Sequence, residues 1–404
     1  MSLTMRMKME PERRSRPPRY GRSDTRSVAK WFWEIDKVLV ILVAVLIAIG
    51  LIAVAAASPA AGQRLSGEGS SVQPLYYFYR QLMWIAVAIP VMVIVSMLPK
   101  ARARRLCLLG AIVFTGLLFL VPVMGNEING ARRWIGYGIA QIQPSEFLKP
   151  LFIVTIAWLL SLKEKDRSLP VVPLTAVLTG IVALLLMRQP NFGETIIFVS
   201  AWVLLLTLSG ASMRILYILA AGAVAAVLLA YLFYPVATQR IDGFLFSQGD
   251  TYQVESALRT LTNGGLFGMG PGAGVRKFSL PEPHTDYIFS VIGEEFGIIA
   301  CLAIAILYMT IVVRVLVRLL NEEDKFLVLA GAGLVCQFGL QALINMAVNV
   351  HIAPSKGMTL PFISYGGSSM IALAMGFGLL LAFTRRNPHL HSAPYKVTRR
   401  GISR

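Results

Sequence analysis

Histidine and cysteine are scarce in this sequence, with four and three among 404 residues, and no HExxH or CxxC spacing occurs. A zinc site therefore has no support, because it needs several imidazole or thiolate ligands at short, fixed spacing. The odd number of cysteines supports no disulfide framework. Cys107, Cys301 and Cys336 all fall in apolar runs and read as small buried apolar residues. Charge is thin as well: 15% of residues are charged and 56% are hydrophobic, which excludes a reading as two or three soluble domains. The glycine-rich stretch GLFGMGPGAG follows no strand-like run and has no Gly-Lys-Ser/Thr after it, so a nucleotide-cradling loop is rejected.

What the sequence holds in quantity is long apolar runs. Ten recur, at about 38–58, 82–98, 106–124, 147–162, 171–187, 194–209, 215–234, 287–313, 326–350 and 366–384, of which the fourth and sixth are short. Runs of this kind can cross a hydrocarbon core of about 30 Å. Backbone amides find no water there, so each run must be a helix. The expected fold is an all-α polytopic membrane protein of about ten transmembrane helices, with a large extracytoplasmic loop, 235–286, between the seventh and eighth. Residues 1–37, rich in Arg, Pro and Ser, are expected to form a disordered basic cytoplasmic tail. Residues 38–384 form the transmembrane domain and 385–404 a basic cytoplasmic C-terminal tail. The first apolar run lacks a small-residue cleavage site and reads as an uncleaved anchor.

The net charge of +17 invites a nucleic-acid reading, but its distribution follows membrane topology. With a cytoplasmic N-terminus, 27 Lys/Arg fall on the cytoplasmic side and ten outside, while Lys149 lies within a span. That bias places both termini in the cytoplasm and sets segments such as KARARR against anionic inner-leaflet lipid. The external segments are then about 59–81, 125–146, 188–193, 235–286 and 351–365, and nearly every unusual polar cluster falls in or beside the last four. Lone basic residues such as Arg64, Arg80 and Lys325 read as wet span ends.

Three polar groupings stand out. Glu146 and Lys149 share one face at the start of a helix near the hydrocarbon boundary, either as a private ion pair or as the charged lining of a cavity. Gln337, Gln341, Asn345 and Asn349 form a stripe along the ninth span, suited to interhelical hydrogen bonds or to a hydrated cavity. PEPHTDYIFSVIGEEFG, residues 281–297, gathers Glu282, His284, Asp286, Glu294 and Glu295 where a helix enters lipid. Asp286 and Glu294 are about 12 Å apart along a helix and turned away from each other, so they are no catalytic pair on one helix. Thr285 or Asp286 at the helix mouth suits an N-cap. An unpaired carboxylate two turns deeper is costly, so Glu294 or Glu295 is expected to meet a Lys or Arg from elsewhere.

GARRWI, QPSEFLK, QPNFG, PEPHTDYIFSVIGEEFG and KGMTLPFISYGGSS, in this order over roughly residues 36–388, resemble the SEDS family of bacterial membrane glycosyltransferases. The basic N-terminal extension and GARRWI lean towards its cell-division members over its elongation members. The resemblance implies polymerisation of lipid II into glycan strands at the outer face of the cytoplasmic membrane, with the division septum as the expected location. It implies an acceptor hydroxyl deprotonated by Asp286 and undecaprenyl pyrophosphate as the leaving group. Lys149, oriented by Glu146, is the candidate partner of the pyrophosphate, with Arg132, Arg133 and Lys356 contributing. His284, Ser364 and Ser369 of the matched motifs are further candidate substrate contacts. Asn191 stands in QPNFG where many relatives carry Asp, so that position is discounted as catalytic. No cofactor is certain; a divalent cation is a possible helper without a dedicated site. The implied partners are a class B penicillin-binding protein, whose transpeptidase crosslinks the strands, and other membrane proteins of cell-wall synthesis.

Two other classes compete. A lipid II transporter would also bury charge in a bundle, but the polar motifs crowd one side and no inverted repeat is evident. A non-catalytic scaffold that recruits the transpeptidase would not need Asp286, Glu146 and Lys149 together.

Overall fold

The computed structural model describes residues 27–65, 72–128, 131–136, 138, 141–166, 168–234, 238, 241–242, 252–354 and 357–385. One compact unit comprises residues 36–385, and the terminal residues on either side form another. In the terminal unit Ser27–Glu34 is a helix, α1, which corrects the expectation of disorder up to residue 37. Its sequence SVAKWFWE has the apolar spacing of a one-sided helix. The expectations for 1–26 and for the tail beyond 385 lie outside the described residues.

Residues 36–385 form α2 (Lys37–Leu65), α3 (Tyr76–Ser96), α4 (Lys100–Met124), α5 (Pro144–Lys165), α6 (Val171–Arg188), α7 (Phe192–Leu208), α8 (Met213–Phe233), α9 (Tyr252–Asn263), α10 (Ile288–Leu319), α11 (Lys325–Asn349) and α12 (Gly367–Thr384). Among the described residues nine helices are long and apolar enough to cross a membrane, and α7 is a shorter apolar helix of 17 residues. Every expected run is helical. The differences lie at the ends: α10 continues to Leu319, and the long loop before it contains α9 and a 3-10 turn, Arg276–Ser279.

α5, α11 and α12 are the buried centre, with α4 and α12 packed on α5, α3 on α12, α10 on α11, and α2 on α10. Lipid tails are as apolar as leucine, so such contacts depend on close packing by small residues. At Gly50 of α2 a Cβ would come within 2.5 Å of the Phe362 carbonyl oxygen, and at Gly378 of α12 within 2.7 Å of that of Met92. α8 instead leaves its apolar surface exposed, with α7 as its chief neighbour.

Polar ties hold both ends. At the start of α2 the buried Asp36 accepts a bond from the Leu39 amide at 3.2 Å and pairs with Arg314 at 2.8 Å and Arg318 at 2.7 Å. Burial raises the affinity of Asp36 for a proton, but Arg314, the Leu39 amide and Arg318 outweigh it and hold the carboxyl below its ordinary range. At the opposite end GARRWI forms strand β2 (Ala131–Trp134), antiparallel to β1 (Asn126–Ile128), with Glu127 opposite Arg132. Ala57, Ala257, Leu280, Tyr287, Val291 and Val348 form an apolar cluster there that joins α2, α9, α10 and α11 beneath the loops.

Candidate active site

The carboxylates of 281–297 separate into two roles. Glu294 is fully buried and accepts backbone N–H bonds from Val275, Arg276 and Lys277 at 3.0, 2.7 and 2.9 Å, with Asn263 Nδ2 adding a fourth at 3.0 Å. Glu295 pairs with the buried Lys277, which also donates to the Ala56 carbonyl at 3.0 Å, and takes the Gly272 amide at 3.0 Å. The expected basic partner is therefore Lys277. Both carboxylates organise GLFGMGPGAG, whose backbone wraps α10 through Met269 N to Glu294 O and Ile298 N to Gly265 O. The wrap explains the glycines: at Gly268, with φ +81°, a Cβ would stand 2.2 Å from the Glu295 carbonyl oxygen. Gly297, also at φ +81°, breaks α10 at the same crossing.

Asp286 is set differently. It lies half-buried in the turn before α10, whose N-cap position is Tyr287 with no side-chain cap bond, so the N-cap reading of Thr285 or Asp286 is corrected. Its carbonyl is held by Asn345 Nδ2 at 2.9 Å and Asn349 Nδ2 at 3.1 Å. Asn345 also donates to the Met358 carbonyl at 2.6 Å, so one side chain ties the Asp286 turn to the last loop. Across from the carboxylate is Gly357, where a Cβ would stand 3.1 Å from Asp286 Oδ2. The backbone is thus fixed through its carbonyl, while the carboxylate faces a position without a side chain.

The polar stripe of α11 continues from this turn into the bundle. Asn349 Oδ1 accepts from Ser290 N at 3.1 Å and Oγ at 2.7 Å; Gln341 donates to the Thr359 carbonyl at 3.1 Å, and Gln337 to Gln341 at 3.0 Å. Asn349 thus bonds between helices, to Ser290 of α10, while Asn345 bonds to the Asp286 turn and the last loop. The glutamines also line a cavity of about 20 Å³ together with Glu146 and Lys149, room for roughly one water. Lys149 is buried there, 2.8 Å from Glu146 and 3.6 Å from Glu194 of α7, and Gln143 donates to Glu194 at 3.0 Å. Glu194 is the residue that sequence reasoning missed; its signal was an acid in the first turn of an otherwise apolar run. One buried cation thus faces two carboxylates.

The other candidates are distributed around these two centres. His284 is buried against Tyr77 and Tyr365, at ring-centroid distances of 3.9 and 5.3 Å, and its carbonyl accepts the Tyr365 amide at 2.9 Å. Burial pushes its imidazole down to about 3, so it is neutral at physiological pH. Ser364 ties the turns together, accepting from Leu360 N at 2.8 Å and donating to the Thr285 carbonyl at 2.6 Å. Ser369, in the first turn of α12, makes a long bond of 3.5 Å to the Gly366 carbonyl. Arg133 donates to the Pro190 and Gln189 carbonyls at 2.7 and 3.3 Å and clamps the turn before α7, whereas the exposed Arg132 pairs with Glu127 at 3.3 Å. Lys356 lies outside the described residues. His284 and Ser364 therefore adjoin the Asp286 turn, Glu146 and Lys149 form a deeper centre, and Arg132 and Arg133 belong to the hairpin.

This arrangement matches known proteins along nearly its whole length. The family model FtsW/RodA/SpoVE, described as cell cycle protein, matches residues 36–389. A protein of Caulobacter vibrioides named probable peptidoglycan glycosyltransferase FtsW is 36% identical, over 93% of this chain and 95% of its own length. The protein of the same name from Coxiella burnetii is 34% identical, over 88% and 98%. Among solved structures, a chain from one described as structural coordination of polymerization and crosslinking by a peptidoglycan synthase complex is similar with TM-score 0.70 and 27% identity, covering 87% of this chain and 97% of that one. Rod shape determining protein RodA of Thermus thermophilus is similar with TM-score 0.64 and 28% identity, over 87% and 96%. By the extent of these matches the chain belongs to the FtsW/RodA/SpoVE family and is a multi-pass helical membrane protein.

Proposed function

We propose that this glycosyltransferase polymerises lipid II into glycan strands at the outer face of the bacterial cytoplasmic membrane during cell division. The observation that carries the reading is the setting of Asp286, anchored through its carbonyl by Asn345 and Asn349 while its carboxylate faces Gly357. A general base needs its backbone fixed in this way, so that the carboxylate is held in one position. Asp286 takes the proton of the acceptor hydroxyl as its oxygen bonds to the donor's anomeric carbon, and undecaprenyl pyrophosphate departs with the electron pair of the broken bond. A diphosphate leaves without a general acid once its charge is neutralised. Lys149 is a candidate for that neutralisation, although Glu146 and Glu194 already balance its charge, so its Coulombic help depends on how the pair rearranges around substrate. Neutral His284 and the Ser364 tie position the turn that carries Asp286.

The relatives' names and the synthase-complex neighbour support this reading and a transpeptidase partner, a class B penicillin-binding protein at the septum. The charge asymmetry supports cytoplasmic termini, with the Asp286 turn outside. The test is purified protein incubated with labelled lipid II, with and without the transpeptidase. Glycan polymer supports the reading, and its absence under both conditions favours a transporter or scaffold.

A further inference from the structure

One face of α3 packs on the segments that hold the Asp286 turn. The Tyr77 ring lies 3.9 Å from that of His284 and 5.0 Å from that of Tyr365, and Gln81 donates to the Ser364 carbonyl at 3.3 Å. One turn deeper, the Trp84 indole lies so close to Gly367 that a Cβ there would come within 2.5 Å. Positions 77, 80, 81 and 84 share this face at helical spacing. Arg80 is half-buried on it. Nη1 of Arg80 donates to the Tyr76 hydroxyl at 2.9 Å, its guanidinium stands 5.4 Å from that ring, and its buried Nε has no partner among the described residues.

Among the described residues the charge of Arg80 meets no carboxylate, and half-burial makes an unpaired cation costly there. Arg80 sits in the first two turns of α3, near the positive pole of that helix, and α12 begins at Gly367 beside Trp84, one turn further along α3. The described residues give it no carboxylate partner; Glu282, the acid beside His284, lies 3.9 Å from the imidazole and forms no ion pair with Arg80. Several other basic groups at this end are occupied. Arg64 donates to the Ser279 carbonyl, Arg133 to that of Pro190, Arg259 pairs with Glu255, Lys277 with Glu295, and Lys149 with Glu146 and Glu194. Half-buried positive potential without a counter-charge is what an anionic ligand supplies with its own oxygens.

We propose that Arg80 binds the diphosphate of a lipid-linked substrate next to the Asp286 turn. The proposal rests on the lipid II reading above and replaces the expectation that Arg80 is a wet span end. It also relieves Lys149 of being the main diphosphate contact, since Lys149 already has two carboxylates and Arg80 has none among the described residues.

The test uses the full chain in detergent, in an Asp286→Asn background that stops turnover, with binding of labelled lipid II and competition by undecaprenyl pyrophosphate or uncharged undecaprenol. Arg80→Gln and Arg80→Met are expected to keep the parent melting temperature and to bind lipid II roughly 10- to 100-fold more weakly. They are also expected to lose the preference for the diphosphate over the alcohol. Tyr76→Phe, which removes the only described hydrogen-bond partner of Arg80, is expected to bind as the parent does. Binding within about twofold of the parent in both Arg80 variants, an equal loss in Tyr76→Phe, or loss of the fold in both Arg80 variants would each overturn the proposal. Failure of the lipid II reading itself looks different: the Asp286→Asn parent would then not bind lipid II at all.

Discussion

Asp286, Glu294 and Glu295 are chemically alike and close in sequence, yet their surroundings assign them opposite work. Glu295 is buried against Lys277, so Glu295→Ala strands a buried ammonium and is expected to cost about 3–5 kcal/mol. A lowered melting temperature with the fold otherwise intact checks this. His284 adds a pH dependence. An unfolded histidine binds its proton near the ordinary value of 6.5, whereas burial holds His284 at about 3. Between these values the unfolded state carries the extra proton, so stability is lost as pH falls, by about 2 kcal/mol from pH 6.5 to pH 5. Thermal melts over that range are expected to fall less steeply in His284→Gln than in the unaltered protein. The acidic cluster itself was legible in sequence, and so was the need for a basic partner. The division of labour was not, because Lys277 and the amides of 272–277 reach Glu294 and Glu295 only once the chain folds back across α10.

At the scale of elements, apolar period and length disclosed every long helix, since the bilayer requires each run to satisfy its own amides. Helix ends and loops were less legible. α9 lies in a polar stretch of the expected loop, and its structure depends on burying Val254, Ala257 and Leu261 against neighbours. GLFGMGPGAG looked like a nucleotide loop gone wrong, whereas its glycines permit a backbone crossing over α10. Gly268→Ala is expected to destabilise the protein by more than about 1 kcal/mol, because the position combines a left-handed φ with a carbonyl 2.2 Å from any Cβ. Limited proteolysis is expected to cut the loop between α9 and α10 faster in the variant. Glu194 escaped notice for the same reason that the crossing did: its meaning depends on α7 packing beside α5, which places it 3.6 Å from Lys149.

At the scale of the whole molecule, the proposed topology, read from the charge asymmetry, puts outside the end that carries the hairpin, the glycine crossing and the Asp286 turn. With the native cysteines replaced, Leu266→Cys is expected to react with an impermeant thiol reagent on intact spheroplasts, and Glu323→Cys only after lysis. The reverse pattern would invert the topology. The account converges on a single carboxylate at that outer end. Asp286→Asn keeps the size of the side chain and leaves the Asn345 and Asn349 bonds to the backbone carbonyl in place. Polymerisation of labelled lipid II by purified Asp286→Asn, beside the unaltered protein at matched melting temperature, is the most direct test. The account predicts a rate lower by about 10²–10⁴-fold in a protein that is folded and still binds its substrate; polymerisation at a near-normal rate would contradict it and assign the base to another group.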